Sequence, residues 1–198
     1  MKKVMVFIDF ENFNISLMNY YREMGRVSPR LDYIKLSKEI VDSLAGENEL
    51  LKTFLFAPKP DEFLMQDSRR KSTYNWINGL KAQRYFTVIE GRHVARPVSG
   101  VLPKDMDIEK QSTYYVVEKG TDINMCTHIL TKGFLGAYDS AVILSGDTDY
   151  IPVLDILNTI GKVTIVVGVY GQNLSRFREH TDDIMILNEN FFNKCLRT

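Results

Sequence analysis

Apolar residues along the chain fall into two kinds of run. Val4-Met5-Val6-Phe7-Ile8 and Ala141-Val142-Ile143-Leu144, which follows Ser140, are unbroken and rich in β-branched residues. Unbroken rather than alternating hydrophobicity suits strands buried on both faces of a parallel sheet. Shorter runs of the same kind lie at Leu50 to Ala57, closed by Pro58 and Pro60, and at Phe86 to Glu90, Tyr114 to Val117, Lys162 to Val167 and Ile184 to Leu187. Between them, apolar residues recur at helical spacing. Asn12 to Met24 reads as a helix stopped near Gly25. Leu31 to Leu44 reads as a second, and a third runs from a cap at Asp61 to about Arg84. Further helices are expected at Asp122 to Thr131, Leu174 to His180 and Glu189 to Leu196. Another spans Asp149 to Ile160, with Pro152 tolerated in its first turn. Strands alternating with helices predict an α/β fold: a single Rossmann-like sandwich whose mostly parallel central sheet is flanked by helices. Residues 91–113 are the least regular part, holding Pro97, Gly100 and Pro103, and read as a flap or hairpin.

The composition fits one domain over residues 1–198, with 44% hydrophobic residues to fill a core. Twenty-five basic residues balance 25 acidic ones. That removes the simple electrostatic case for nucleic acid without excluding a protein that sets acid at one site and base around it. Cys126 and Cys195 match neither a metal-ligand spacing nor a disulfide framework, so two reduced thiols in a cytoplasmic protein are expected. The apolar run after Lys3 is too short for a signal segment, and no stretch is long enough to span a membrane. A homo-oligomer is compatible with this composition.

Ligands in open α/β sheets bind beyond the carboxyl ends of the strands. Asp9-Phe10-Glu11-Asn12 follows the first strand, Glu118-Lys119-Gly120-Thr121-Asp122 follows the strand at Tyr114, and Ser145-Gly146-Asp147-Thr148-Asp149 follows the strand at Ser140. Each acid has an ordinary structural use; Asp149, for example, is a good helix N-cap. Together, Asp9, Asp122, Asp147 and Asp149 would bring several carboxylates to one edge. Two carboxylates about 5 Å apart repel by roughly 3 kcal/mol at an effective dielectric near 20. Raised pKa values, an internal cation or a bound metal ion could offset this. All-oxygen ligation suits Mg²⁺ or Mn²⁺. Lys119 is placed to act as a partial counter-ion.

These residues resemble a known family. Ile8-Asp9-Phe10-Glu11-Asn12 looks like the opening motif of the NYN domain, a branch of the PIN-like nucleases. Lys119-Gly120-Thr121-Asp122 and Ser145-Gly146-Asp147-Thr148-Asp149-Tyr150, followed by Pro152, look like its second and third acidic motifs. Gly161-Lys162-Val163 and the Leu174, Asp182, Ile184 pattern fit the family's ending, and the pattern is most similar to the LabA-like branch. The resemblance covers Val4 to about Leu187. It implies a metal-dependent ribonuclease whose metal-binding acids fall on Asp9, Asp122, Asp147 and Asp149, with Asn12 assisting.

On that reading Asp9 and Asp147 bind the ion directly, while Asp122 and Asp149 hold its water ligands or a second ion. Asn12 orients a water or the scissile phosphate, and Ser145 and Thr148 support the ligands by hydrogen bonds. The expected partner is single-stranded RNA. Arg69, Arg70 and Lys71, close to Tyr74 and Trp76, and Arg92 and Arg96 are candidate contacts, because basic side chains beside aromatics suit phosphates and stacked bases. Two alternatives are an RNA-binding module of the same fold without turnover and a small-molecule phosphoryl-transfer enzyme. The second would want an Asp-x-Asp pair at the first strand, where this chain has Glu11. His128 and His180 show no partner in the sequence and are expected to be structural.

Overall fold

The computed structural model describes residues 1–197. Seven strands form one sheet in the order β4-β3-β2-β1-β5-β6-β7. They are β1 (Lys2–Asp9), β2 (Asn48–Pro60), β3 (Phe86–Pro97), β4 (Tyr114–Lys119), β5 (Ser140–Leu144), β6 (Val163–Val169) and β7 (Asp183–Leu187). Every neighbouring pair is parallel except β3 and β4, which run antiparallel. The chain therefore starts at the middle of the sheet, winds out to the β4 edge, then returns to β5 and winds out to β7. The reversal leaves a switch point between β1 and β5, where their carboxyl ends lie side by side at Ile8 and Leu144.

Among the described residues six helices cover the sheet: α1 (Phe10–Glu23), α2 (Tyr33–Asp42), α3 (Ser68–Gly79), α4 (Thr121–Phe134), α5 (Ile151–Thr159) and α6 (Glu189–Lys194). The unbroken apolar run of β1 serves two cores, because side chains alternate along a strand. Val4, Val6 and Ile8 pack with Phe13 and Leu17 of α1, Ile40 of α2 and Phe192 of α6. Met5 and Phe7 pack with Met125 and Ile129 of α4 and Leu154 and Leu157 of α5. Fully burying one such side chain stabilises the fold by about 1.5–3 kcal/mol. Side-chain caps fix the helix starts: Asp32 accepts from the Ile34 and Lys35 amides, and Asp67 from the Arg69 and Arg70 amides. No helix among the described residues is long and apolar enough to cross a membrane.

The structure corrects several sequence boundaries. Pro58 and Pro60 do not close β2 but lie within it, opposite Gly91 and His93 of β3. Thr53 sends its amide to Tyr85, just before β3, and Asp61 sends its own to His93 of β3, so by the strand's two-residue period Pro58 and Pro60 face the other side. There β1 has already ended, its last pairing being Asp9 with Phe56, and no ladder donor is missed. Asp61 does not start the long helix: its Oδ1 accepts from the Leu64 amide at 2.9 Å, ahead of a 3-10 turn at Leu64–Gln66, and the helix begins at Ser68 behind Asp67. Residues 91–97 continue β3, and 98–113 connect it to β4 through two 3-10 turns.

Candidate active site

Asp9 ends β1 and caps α1. Its Oδ1 accepts from the Asn12 amide at 3.1 Å, and its Oδ2 accepts from the Ser145 hydroxyl at 3.1 Å and the Tyr150 hydroxyl at 3.3 Å. The residue is 5% exposed. Burial pushes its carboxyl up to about 6, the nearby Asp122 charge adds to the rise, and the three hydrogen bonds oppose it. The Tyr150 hydroxyl also lies 3.1 Å from Asp122 Oδ1. A phenol has one hydrogen, so it can serve only one of the two carboxylates at a time. Asp122 is exposed and its carboxylate can turn to water, whereas the buried Asp9 is relieved by a proton of its own or by a nearby cation.

The third strand end is tied to the first. The Asp147 amide donates to Ser145 Oγ at 3.2 Å, while Asp147 Oδ1 caps the 3-10 turn Thr148–Tyr150 by accepting from the Asp149 amide at 3.0 Å. This turn is what swings Tyr150 inward, where it is 1% exposed. Asp149 stays exposed, Thr148 is half-buried, and α5 begins only at Ile151. Burial pushes the Cys126 thiol on α4 up, and the charges of Asp122, Asp149 and Asp147 add to the rise. Lys119 is exposed at the end of β4 and forms no ion pair with the acids among the described residues.

Asn12 has a structural task that the sequence did not reveal. Its side-chain oxygen accepts from the Gly146 amide at 2.8 Å and from Gln172 Nε2 at 3.2 Å. It thereby joins the turn after β1 to the turn after β5 and the loop after β6. A Cβ on Gly146 would lie 2.1 Å from Gln172 Nε2, so glycine is what lets Gln172 reach over. Nothing local marked Gln172. The oxygen being occupied, the amide nitrogen of Asn12 is the group left to face a ligand.

A further trio lies next to this site. Glu11 of α1, His93 of β3 and Glu118 of β4 bring ligand atoms within 4.8 Å of one another. His93 Nε2 is 2.9 Å from Glu11 Oε2. A groove of about 240 Å³ runs from Glu11 and His93 past Pro58 and Pro60 to Arg69, Arg70 and Tyr74. Lys71, Arg92 and Arg96 do not line it; Arg92 and Arg96 alternate with His93 along β3 and so leave its opposite face. Trp76 packs against Phe10 and Tyr33, with Arg197 over its ring, and lines the adjoining cavity of about 370 Å³. His180 does have a partner, Asp155, at 2.7 Å. His128 lies between the rings of Phe54 and Phe56.

The NYN domain family model matches residues 3–188, nearly the whole chain. The chain belongs to the NYN domain family. It thus has the nuclease-type fold of the PIN-like superfamily. Among solved structures, a protein of unknown function from Vibrio parahaemolyticus has the same fold, with a TM-score of 0.60 and 14% sequence identity over 99% of this chain and 96% of that one. No curated protein matches this chain. NYN and other PIN-like nucleases generally use divalent metal ions, and the donor chemistry here fits such an ion. A buried carboxylate sharing one hydroxyl with a second carboxylate is an arrangement that positive charge relieves.

Proposed function

We propose that this NYN protein hydrolyses phosphodiester bonds in single-stranded RNA with Mg²⁺ or Mn²⁺. The observation that carries the reading is the Asp9–Tyr150–Asp122 contact, a carboxylate pair set around one buried hydroxyl at the switch point of the sheet. Asp9, Asp122, Asp147 and Asp149 would hold the ion, which when bound supplies charge to a phosphate oxygen and acidity to a water. Ser145 and Tyr150 orient Asp9, and the Asp147 side chain is fixed by the turn it caps. Asp9 takes up the ion only once it is ionised, through the one lone pair its three hydrogen bonds leave free. The Asn12 amide nitrogen donates toward a phosphate oxygen.

The groove supports RNA as the substrate. Arg69 and Arg70 stand where a phosphate backbone could run toward Glu11 and the Asp9 end of β1, and Tyr74 offers a ring to a base. The test is cleavage of a labelled single-stranded RNA with Mn²⁺, with Mg²⁺ and with excess chelator, for wild type and Asp147→Asn. Metal-dependent cleavage that vanishes in the variant is the expected result. RNA retained in a salt-sensitive way without cleavage would replace the enzyme with a binding module. Neither binding nor cleavage would turn attention to small phosphate esters.

A further inference from the structure

Glu11, His93 and Glu118 reach one point from three elements, and each is fixed for a different reason. Glu11 lies in the first turn of α1, two residues beyond the Asp9 cap. His93 and Glu118 are opposite partners in the antiparallel β3–β4 ladder, a register that holds their side chains on one face. The start of α4 closes the space behind them. Gly91, two residues before His93, is buried, and a Cβ there would lie 2.0 Å from the Thr121 hydroxyl and 2.8 Å from its amide. Only glycine at this position lets α4 dock so closely.

An ordinary ion pair does not account for the trio. Even a protonated His93 sets one positive charge against two carboxylates, with Asp122 close to Glu118. No lysine or arginine among the described residues pairs with Glu11 or Glu118. The His93 side chain is only 12% exposed, while Glu11 is 32% exposed and Glu118 lies open to solvent, so the imidazole forms the dry floor of a pair of accessible carboxylates. A second feature points the same way. Thr121 is 2% exposed, and its hydroxyl makes no well-formed hydrogen bond. It lies against the Glu118 carboxylate at the wall of the cradle and offsets only part of the strain on it.

We propose that Glu11, His93 and Glu118 form a binding site for a zinc-class divalent ion, separate from the aspartates of the switch point. The ligand chemistry selects the ion. One imidazole nitrogen with two carboxylates suits Zn²⁺ and its neighbours, whereas Mg²⁺ takes oxygen. The separation is right as well. Corners of a triangle with 4.8 Å edges lie about 2.8 Å from its centre, so each ligand atom moves by less than about 1 Å to reach the usual ~2.0–2.1 Å. Three protein ligands leave a coordination position open, and Glu11 and His93 turn it toward the groove that holds Arg69 and Arg70. The site goes beyond RNA cleavage and stands whether or not RNA is cut.

The test is a titration of the full chain with Zn²⁺ by calorimetry and with Co²⁺ by visible absorption. Wild type, His93→Gln, Glu118→Gln and the double variant Asp9→Asn/Asp147→Asn are compared. The expected result is a site that weakens roughly 100-fold or more in His93→Gln and Glu118→Gln, as loss of a ligand costs at least what loss of its supporting partner does. The double variant keeps it. In wild type, one equivalent of Zn²⁺ shifts the imidazole nitrogen resonances of His93. Equal affinity in wild type and a folded His93→Gln would overturn the proposal. So would loss in the double variant alone. Should His93→Gln fail to fold, unmoved His93 resonances in wild type would overturn it just as well.

Discussion

Two groups of acids lie side by side in this protein and are held in opposite ways. At the centre of the sheet, Asp9 is gripped by a backbone amide and two hydroxyls in a dry site that raises its pKa to about 6. At the edge, Glu118 and His93 are held by the register of two strands, and Glu11 by a single contact to His93. The central group is rigid and strained by its own charge. The edge group is shaped by pairing and takes its selectivity from a nitrogen. An acid buried for chemistry therefore differs in its stability signature from one held only by position, and the difference can be measured.

The largest effect is expected at Asp9. Asp9→Asn should bring RNA cleavage to background and yet stabilise the protein at pH 7.5, because it removes a charge that folding must bury. The folded pKa of about 6 stands above the ordinary value of 3.8. Below pH 3.8 the group is protonated in both states and makes no difference. Between 3.8 and 6 the folded chain keeps a proton that the unfolded chain has released, so stability falls as pH rises. Above 6 the full penalty is present, about 3 kcal/mol for a shift of this size, since each pKa unit is worth 1.36 kcal/mol. Urea unfolding from pH 4 to pH 7.5 should show this decline in wild type and not in Asp9→Asn. A less stable variant would mean that Asp9 is held for structure. Mn²⁺ should raise the wild-type melting temperature and leave that of Asp9→Asn nearly unchanged.

Next comes Gly91→Ala, which strikes the edge. The new methyl meets the Thr121 backbone, which cannot swing away as a side-chain tip could. A destabilisation of about 1–3 kcal/mol is expected from such overpacking, read by urea unfolding, with Zn²⁺ affinity falling in step. Tyr150→Phe is smaller. It removes about 1 kcal/mol of hydrogen bonding and raises the Asp9 pKa further, so the alkaline shift of the cleavage profile is its readout. Smallest is Arg69→Ala with Arg70→Ala, which should weaken RNA binding. The slope of log affinity against log salt should flatten by about 0.7 for each phosphate that the variant no longer neutralises.

The sequence discloses the centre of this molecule better than its edge, for a physical reason. β5 is readable from Ser140 to Leu144 because both its faces are buried and every residue is constrained. Asp9 stands out because an acid that ends such a strand has few places to go, and Asp147 because it follows a Ser-Gly turn at the end of β5. The β3–β4 edge is half-solvated, so its pattern is weak, and the extension of β3 over 91–97 leaves no clear mark in it. The Glu11, His93 and Glu118 trio depends on a strand register, and Gln172 on a loop crossing from β6. Neither is encoded by local spacing. Pro58 and Pro60 mislead because the usual rule concerns a strand flanked on both sides, and here one neighbour has already ended.

That missing neighbour has a consequence for what can lie in the groove. Where β2 outruns β1, a bare strand margin would ordinarily recruit an extended polypeptide by offering it amide hydrogens. Pro58 and Pro60 have none to offer on that side. The wall of the groove thus offers a stray peptide segment carbonyls alone, which is too little to complete a strand ladder. A polymer that docks through phosphates and bases can draw its donors from Arg69 and Arg70 and its stacking from Tyr74, and so does not depend on amides in that wall.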